Sequence, residues 1–409
     1  MSIKKKPRGG RPSKFPPEFR RDAVAMVIHE SRPIADMARA IGVIAGTLGN
    51  WVDQERIESG EREGLTLDER SALVELRTEN AAVALLQAGE RGPSAIIIRT
   101  DFPGTRLMAG IGHDGQQYYA IARQPMHLDR VARYLDRPRY RAGRPLLPWL
   151  AWLLHPQGGG PGLVVALAAI GAASLALGGV AAGVLAADLG ASARVVSRVA
   201  TLFSGAPGAI ASLAITSPDA LATALALTAL ALARRGRSRL ALMPAVLAVL
   251  AKEALLVVFV GYAFTHLKRR SAIALAAVPA LAVAGWWWWV RTALPGNDNG
   301  IVEFRPLVGF GQAIRYWATG DAEGLVAALF VTLSIALGVA ALFRAGPRSP
   351  LGGVIALQVA FLFLLSRDVL ALAGNASRAT LPLLVIAVVV LVGDPPRLSR
   401  DRAARARAL

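Results

Sequence analysis

Apolar and polar positions follow two different plans along this chain. Over residues 17–54 the apolar positions recur at helical spacing in three short runs. The first covers Pro17 to Glu30, with Phe19, Ala23, Met26 and Val27 on one face. The next two carry helix-turn-helix spacing. Counted from Ile34, Met37, Ile41, Val43, Leu48 and Trp51 fall on the apolar positions, Ala38 on the small one and Gly42 on the turn. Ala38 lets two helices approach, and Gly42 can adopt the positive φ of a sharp turn. A generic helical hairpin is the alternative reading. After it, Leu65–Val83 holds a short heptad seam of Leu73, Leu76, Asn80 and Val83, and an Asn at such a position fixes dimer register.

From about Leu146 the plan changes. Apolar stretches recur at 161–186, 196–215, 218–233, 240–251, 254–267, 271–290, 324–343, 351–366 and 379–393. A crossing of the bilayer wants roughly 20 residues, so several of these must tilt or be re-entrant. The predicted fold class is all-α: a small helix-turn-helix domain plus a short zipper helix, followed by a polytopic α-helical membrane domain. Five segments are expected. Residues 1–64 form a basic arm with the helix-turn-helix, and 65–88 a coiled-coil helix and junction. Residues 89–145 form an extracytoplasmic loop, 146–396 the multi-pass domain and 397–409 a basic cytoplasmic tail.

Charge sharpens the division. The 409 residues are 54% apolar and only 18% charged, fewer than in a soluble globular chain, yet the net charge is +18. Eight basic side chains crowd residues 1–21 against Glu18 alone, an arm that fits nucleic acid or an anionic surface. Lys4, Lys5, Lys6, Arg8 and Arg11 are expected to contact phosphates, with Thr47 and Asn50 of the third helix reaching base edges. Arginine clusters fall at alternate ends of the apolar runs. Placing them all in the cytoplasm gives nine crossings of the inner membrane, with residues 89–145 and Trp286–Trp289 at the outer side and the N-terminal domain in the cytoplasm. Zero cysteines exclude disulfide frameworks and thiolate chemistry, and five scattered histidines offer no metal spacing, so no metal site is expected.

The first 83 residues resemble the small first-frame protein (OrfA) of insertion-sequence transposases of the IS3/IS911 type. The resemblance rests on Lys14-Phe15, Glu18-Phe19-Arg20, Ala23-Val24, Ile34-Ala35, Gly42-Val43, Thr47-Leu48, Trp51-Val52, Leu65-Thr66 and Glu69-Arg70, ending in Leu76-Arg77 and Glu79-Asn80. It implies DNA binding at element ends and homodimerisation through residues 65–83. Two features depart from it. Ile44 stands where the family has a capping Ser, and the second-frame domain with its three catalytic carboxylates has no counterpart here.

The segment before the membrane body carries Asp101-Phe102, then His113-Asp114 with Tyr118-Tyr119, then Tyr140-Arg141 and Arg144-Pro145. Together with Ser217-Pro218-Asp219, Ala251-Lys252-Glu253, Asn375 and Arg378, this resembles polytopic GT-C glycosyltransferases. The resemblance implies a polyprenyl-phosphate sugar as donor and no other cofactor. Asp114, or as second choice Asp101, would be the general base. Arg141, Arg144, Lys252 and Arg378 would hold substrate, chiefly the lipid phosphate, and Tyr118 and Tyr119 would stack on sugar. A turn carboxylate at Asp114 and an interfacial ion pair at Lys252-Glu253 are the plainer readings.

The two halves do not join easily. A DNA-binding head belongs in the cytoplasm and the 89–145 loop outside, so residues 81–98 must cross. They hold Glu90, Arg91 and Pro93 and are too short and too polar to do so. The expectation is a gene fusion, in which an insertion-element fragment stands in place of the first spanning helix of a membrane glycosyltransferase. A transporter is the remaining alternative, although no inverted repeat is visible. Gly110–Gly115 satisfies G-x-G-x-x-G without the surrounding βαβ unit a nucleotide site needs.

Overall fold

In the computed structural model, residues 15–296 and 305–393 are described. The described residues are all-helical, without strands, and fall into two compact units, Met1–Asn80 and Ala81–Leu409. Each has its own core. The DNA-contacting arm expected at Lys4, Lys5, Lys6, Arg8 and Arg11 lies outside the described residues, as does the basic tail 397–409.

In the first unit, α1 (Pro17–His29), α2 (Ile34–Ala40) and α3 (Ala45–Glu58) pack around Ala23, Val24, Val27, Met37, Ala38, Leu48 and Val52. Ala38 is 1% exposed where α2 meets α3, and Leu48 and Val52 are fully buried. Gly42 takes φ +70°, the left-handed turn that the spacing calls for. One detail of α1 differs from expectation. Val24 is buried while Met26 is 39% exposed, because the buried stripe runs 23-24-27 rather than through 26. Phe15 stacks on Phe19 at 5.4 Å and meets Trp51 edge-on at 5.5 Å.

Helix α4 (Leu67–Leu86) opens on a capping box. The Glu69 carboxylate accepts from the Thr66 backbone N–H at 2.9 Å, and the Thr66 hydroxyl accepts from the Glu69 N–H at 3.2 Å. Of the zipper positions, Leu76 is 39% exposed and Leu73 half-buried, while Asn80 turns its amide back to the Leu76 carbonyl at 2.8 Å. Val83, with Ala82 and Leu86, instead joins the core of the second unit.

Residues 81–98 do not form a continuous rod. α4 stops at Leu86, Gln87 takes φ +46°, and the backbone of 87–92 pairs with 108–113. Met108 N–H donates to Ala88 O at 2.8 Å, Glu90 N–H to Met108 O at 2.9 Å and Arg91 N–H to Gly110 O at 2.9 Å. Buried Gln116 locks the pair, accepting from Gly89 N–H at 3.2 Å and donating to Ile111 O at 2.6 Å. Gly112 lies so close to Gly89 and Gln116 that a Cβ has no room. The Gly110–Gly115 run thus serves backbone packing.

The second unit then continues through α5 (Ala95–Asp101), α6 (Asp114–Arg123), α7 (Leu128–Val131), α8 (Pro138–Ala142), α9 (Leu146–Leu154) and α10 (Pro161–Asp188). The 196–215 stretch is split at Pro207 into α11 (Ala193–Gly205) and α12 (Pro207–Ala214). Next come α13 (Asp219–Arg234), α14 (Ser238–Ala251), α15 (Leu256–Phe264) and α16 (Arg270–Ala293). The last five are α17 (Val308–Trp317), α18 (Ala322–Ala345), α19 (Pro350–Leu362), α20 (Arg367–Leu370) and α21 (Ala373–Val392).

Among these, α10, α16, α18 and α21 are long and apolar enough to cross a membrane. α14, α15 and α19 are apolar but shorter, and α13 is mostly buried among its neighbours. This pattern is consistent with a membrane domain in which polar breaks such as Lys252-Glu253 interrupt what the sequence shows as nearly continuous apolar runs. Trp286 of α16 serves packing: it meets Trp149 edge-on at 6.0 Å and donates its indole N–H to Ala142 O at 2.9 Å.

Candidate functional site

The first unit offers a helix with two unlike sides. On α3, Leu48 and Val52 face the core while Ala45, Gly46 and Asn50 are exposed and Thr47 is half-buried. A helix-turn-helix packed in this way presents the N-terminal half of its second helix to a DNA groove. Ile44, the N-cap residue, is 78% exposed in extended conformation and gives no side-chain hydrogen bond to the helix. Two orphan donors at the start of α3 therefore remain for solvent or for a phosphate.

The second unit holds a polar cavity of about 250 Å³. Its charges form an alternating chain. Asp136 takes a bidentate pair from Arg141, with both N···O distances 2.8 Å. Arg141 Nη1 then reaches Asp114 Oδ1 at 2.6 Å. The other oxygen of Asp114 accepts from Arg378 Nη1 at 2.7 Å, and the same nitrogen reaches Asp219 Oδ2 at 3.2 Å. Asp219 pairs in turn with Lys252 and accepts the Ser217 hydroxyl at 2.7 Å. Beside this chain, Arg144 grips Glu253 with two bonds of 2.9 and 2.7 Å and lies over the Tyr140 ring at 4.2 Å.

Sequence elements more than 250 residues apart thus converge: the start of α6, the start of α13, the break between α14 and α15, and the first turns of α21. Burial pushes the Asp114 carboxyl up, but the Arg378 and Arg141 guanidiniums outweigh it and hold the group well below the usual carboxylate range. Asp136 is lowered in the same way, burial being outweighed by Arg141.

Of the residues singled out from sequence, Asp114, Arg141, Arg144, Lys252 and Arg378 line this cavity. Asp101, Tyr118 and Tyr119 do not. Asp101 instead accepts from the Tyr119 hydroxyl at 2.6 Å and pairs with Arg123 at 2.8 Å, while Tyr119 also accepts from Gly160 N–H at 2.6 Å. Tyr118 and Tyr119 are both fully buried, so neither ring presents a face for a sugar to stack on. The aromatic rings of the cavity are Tyr140 and Phe361, and the carboxylates that sequence reading did not assign are Asp136, Asp219, Glu253 and Asp368. Asp219 had a signal: an acid opening a long apolar helix needs a partner. Among the described residues, no three His, Cys, Asp or Glu side chains come together to hold a metal ion.

Comparison with known proteins bears on the first unit. The family model described as Transposase, a helix-turn-helix family, matches residues 10–84. An insertion element IS6110 uncharacterized 12.0 kDa protein from Mycobacterium tuberculosis (strain H37Rv) is 40% identical over 81 residues, which are 18% of this chain and 75% of the relative. The protein of the same description from Mycobacterium bovis matches equally. No solved structure matches the chain. The match runs through the three helices of the first unit and into α4, and by it the chain belongs to the insertion-element transposase family, whose helix-turn-helix DNA-binding domain it carries at its N-terminal end.

Proposed function

We propose that the chain binds the end sequences of an insertion element through α3, with its second unit embedded in the inner membrane. The observation that carries this is the two-sidedness of α3: Leu48 and Val52 at 0% exposure opposite exposed Ala45, Gly46 and Asn50. In this reading Thr47 and Asn50 touch base edges, and Lys4, Lys5, Lys6, Arg8 and Arg11 neutralise phosphates. Exposed Leu76 of α4, with half-buried Leu73 one turn before it, offers apolar surface to a second copy, which would pair two heads on an inverted repeat. The body stands where a catalytic second-frame domain would otherwise follow, so the chain is a fusion and its DNA role is binding rather than strand transfer. The test is fluorescence anisotropy of the full chain in detergent with labelled element-end and scrambled duplexes, over a salt series. Asn50→Ala should cut discrimination between the two by about 1–3 kcal/mol, while affinity for both falls with salt. Equal binding of the two duplexes by the unaltered chain would overturn the reading.

The cavity of the second unit favours a second reading, transfer of a sugar from a polyprenyl phosphate. Arg141, Arg144, Lys252 and Arg378 are the cations such a phosphate needs, and Asp114 is the carboxylate beside them. Every one of these cations already faces a carboxylate, so an incoming phosphate must compete with Asp114, Asp219 or Glu253 for them. That competition has a chemical use. With both oxygens ion-paired, Asp114 is a weak base, and a phosphate that draws Arg378 away restores its basicity. Membranes carrying the chain should transfer sugar from a polyprenyl-phosphate donor and lose the activity with Asp114→Asn. Transfer that survives both Asp114→Asn and Lys252→Ala rules this site out.

A further inference from the structure

A second cavity, of about 400 Å³, opens at the other end of the α13–α14 pair. α13 runs from Asp219, in the cavity already described, to Arg234, and fifteen residues of helix separate the two by roughly 22 Å. The lining here has the opposite character. Arg234 and Arg269 supply the charge, His266, Ser238, Ser271 and Tyr262 the polar groups, and no carboxylate among the described residues lines it.

Three features make it a built site for an anion rather than a gap. First, the Nε of Arg234 is shut off from solvent and has no hydrogen-bond partner. A guanidinium N–H held out of water without an acceptor is costly, and an anion in the cavity relieves that cost. Second, the His266 ring is fixed: it stacks on Tyr262 at 5.7 Å with planes 9° apart, and its Nδ1 meets the Thr265 hydroxyl at 3.0 Å. The ring thus forms a fixed part of the cavity wall. Third, Ser238 opens the fourteen-residue α14 and Ser271 lies in the first turn of α16, so two helix N-termini add their unpaired N–H groups and positive dipole ends to the lining. Around the rim, Arg235, Arg237, Arg239, Lys268 and Arg270 are exposed, and Asp188 neutralises only Arg235.

We propose that this cavity binds a phosphate group, supplied by an anionic phospholipid headgroup or by free phosphate. A basic pocket between apolar helices at their arginine-rich end is the arrangement that holds such headgroups in membrane proteins. Arg234 and Arg269 charge-pair with the phosphate oxygens, while the Ser238 and Ser271 hydroxyls donate to them. The inference is independent of the DNA-binding reading.

The test uses the full chain purified in detergent and returned to vesicles of pure phosphatidylcholine or of phosphatidylcholine with one-fifth phosphatidylglycerol, that is about 20%. Thermal unfolding is followed in each, and again with inorganic phosphate added to the phosphatidylcholine sample. Stabilisation by phosphatidylglycerol alone identifies a lipid headgroup; equal stabilisation by inorganic phosphate identifies the free ion. In native mass spectrometry, Arg234→Gln should retain about tenfold less of the anion than the unaltered chain. Arg239→Gln, on the rim outside the cavity, should retain it. If Arg234→Gln fails to fold, Ser271→Asp sets a like charge in the cavity without touching the Arg234 guanidinium and should abolish retention. The proposal fails if neither anion stabilises the unaltered chain, or if Arg239→Gln loses as much as Arg234→Gln and Ser271→Asp.

Discussion

Replacing Gly46 and Gly49 of α3 by alanine separates what that helix needs for stability from what it needs for function. Both glycines lie inside α3, neither takes a positive φ, and a Cβ built on either meets nothing within 4 Å. Space and backbone therefore permit alanine at both. A glycine inside a helix costs roughly 0.5–1 kcal/mol relative to alanine, so the double variant should gain about 1–2 kcal/mol. With tenfold per 1.4 kcal/mol, that is about 5- to 30-fold in the opening equilibrium of the head. Hydrogen exchange of the full chain in detergent, read at the α3 amides of Leu48 to Val52, measures it directly. The same two methyl groups stand on the face with Thr47 and Asn50 and hold the helix away from a groove floor. Protection should therefore rise while affinity for element-end DNA falls. Faster exchange would mean that α3 does not stay helical through 46–49. Unchanged DNA affinity would mean that this face is not the one that reads DNA.

Ile44→Ser places a hydroxyl at an uncapped N-terminus where the backbone is already extended, and should stabilise the head by about 1 kcal/mol in the same exchange measurement. Leu48→Ala, at a fully buried position in a core of seven side chains, should cost about 2–5 kcal/mol, enough to unfold the head and abolish DNA binding at any salt; binding that persists would show that the core lies elsewhere. Asp114 has a carboxyl held below its unfolded value, so its contribution to stability is present above about pH 4 and disappears as pH falls through the lowered folded value. Thermal unfolding of the second unit should thus be insensitive to this group between about pH 5 and about pH 8. Asp114→Asn should destabilise at neutral pH by about 3 kcal/mol because it leaves Arg141 and Arg378 short of a carboxylate, and a variant as stable as the parent would show that the pairing contributes nothing.

Much of the first unit was legible in the sequence because its information is local. Ala38, Gly42, Leu48 and Val43 sit at fixed offsets within twenty residues, and the turn they specify needs no distant partner. The apolar runs of the second unit were equally visible, but their division into helices was not, since Pro207 and Lys252-Glu253 interrupt runs whose hydrophobicity hardly changes. The polar cavity was half legible. Arg378 and Lys252 stood out as charges among apolar neighbours, which is a local signal. That Asp114, Asp219 and Arg378 meet depends on α6, α13 and α21 converging, and no spacing records that. Tyr118 and Tyr119 misled for the converse reason: an aromatic pair beside an acid reads the same whether it faces a ligand or the interior, and here both rings turn inward.

The sequence Asp136, Arg141, Asp114, Arg378, Asp219, Lys252 is a row of six members with opposite signs side by side. Removing any one leaves an odd charge in surroundings that solvate it poorly, whereas removing two adjacent members restores balance. Drift through this row should therefore proceed by twos, and a descendant chain that has lost Asp219 should be found to have lost Lys252 or Arg378 with it.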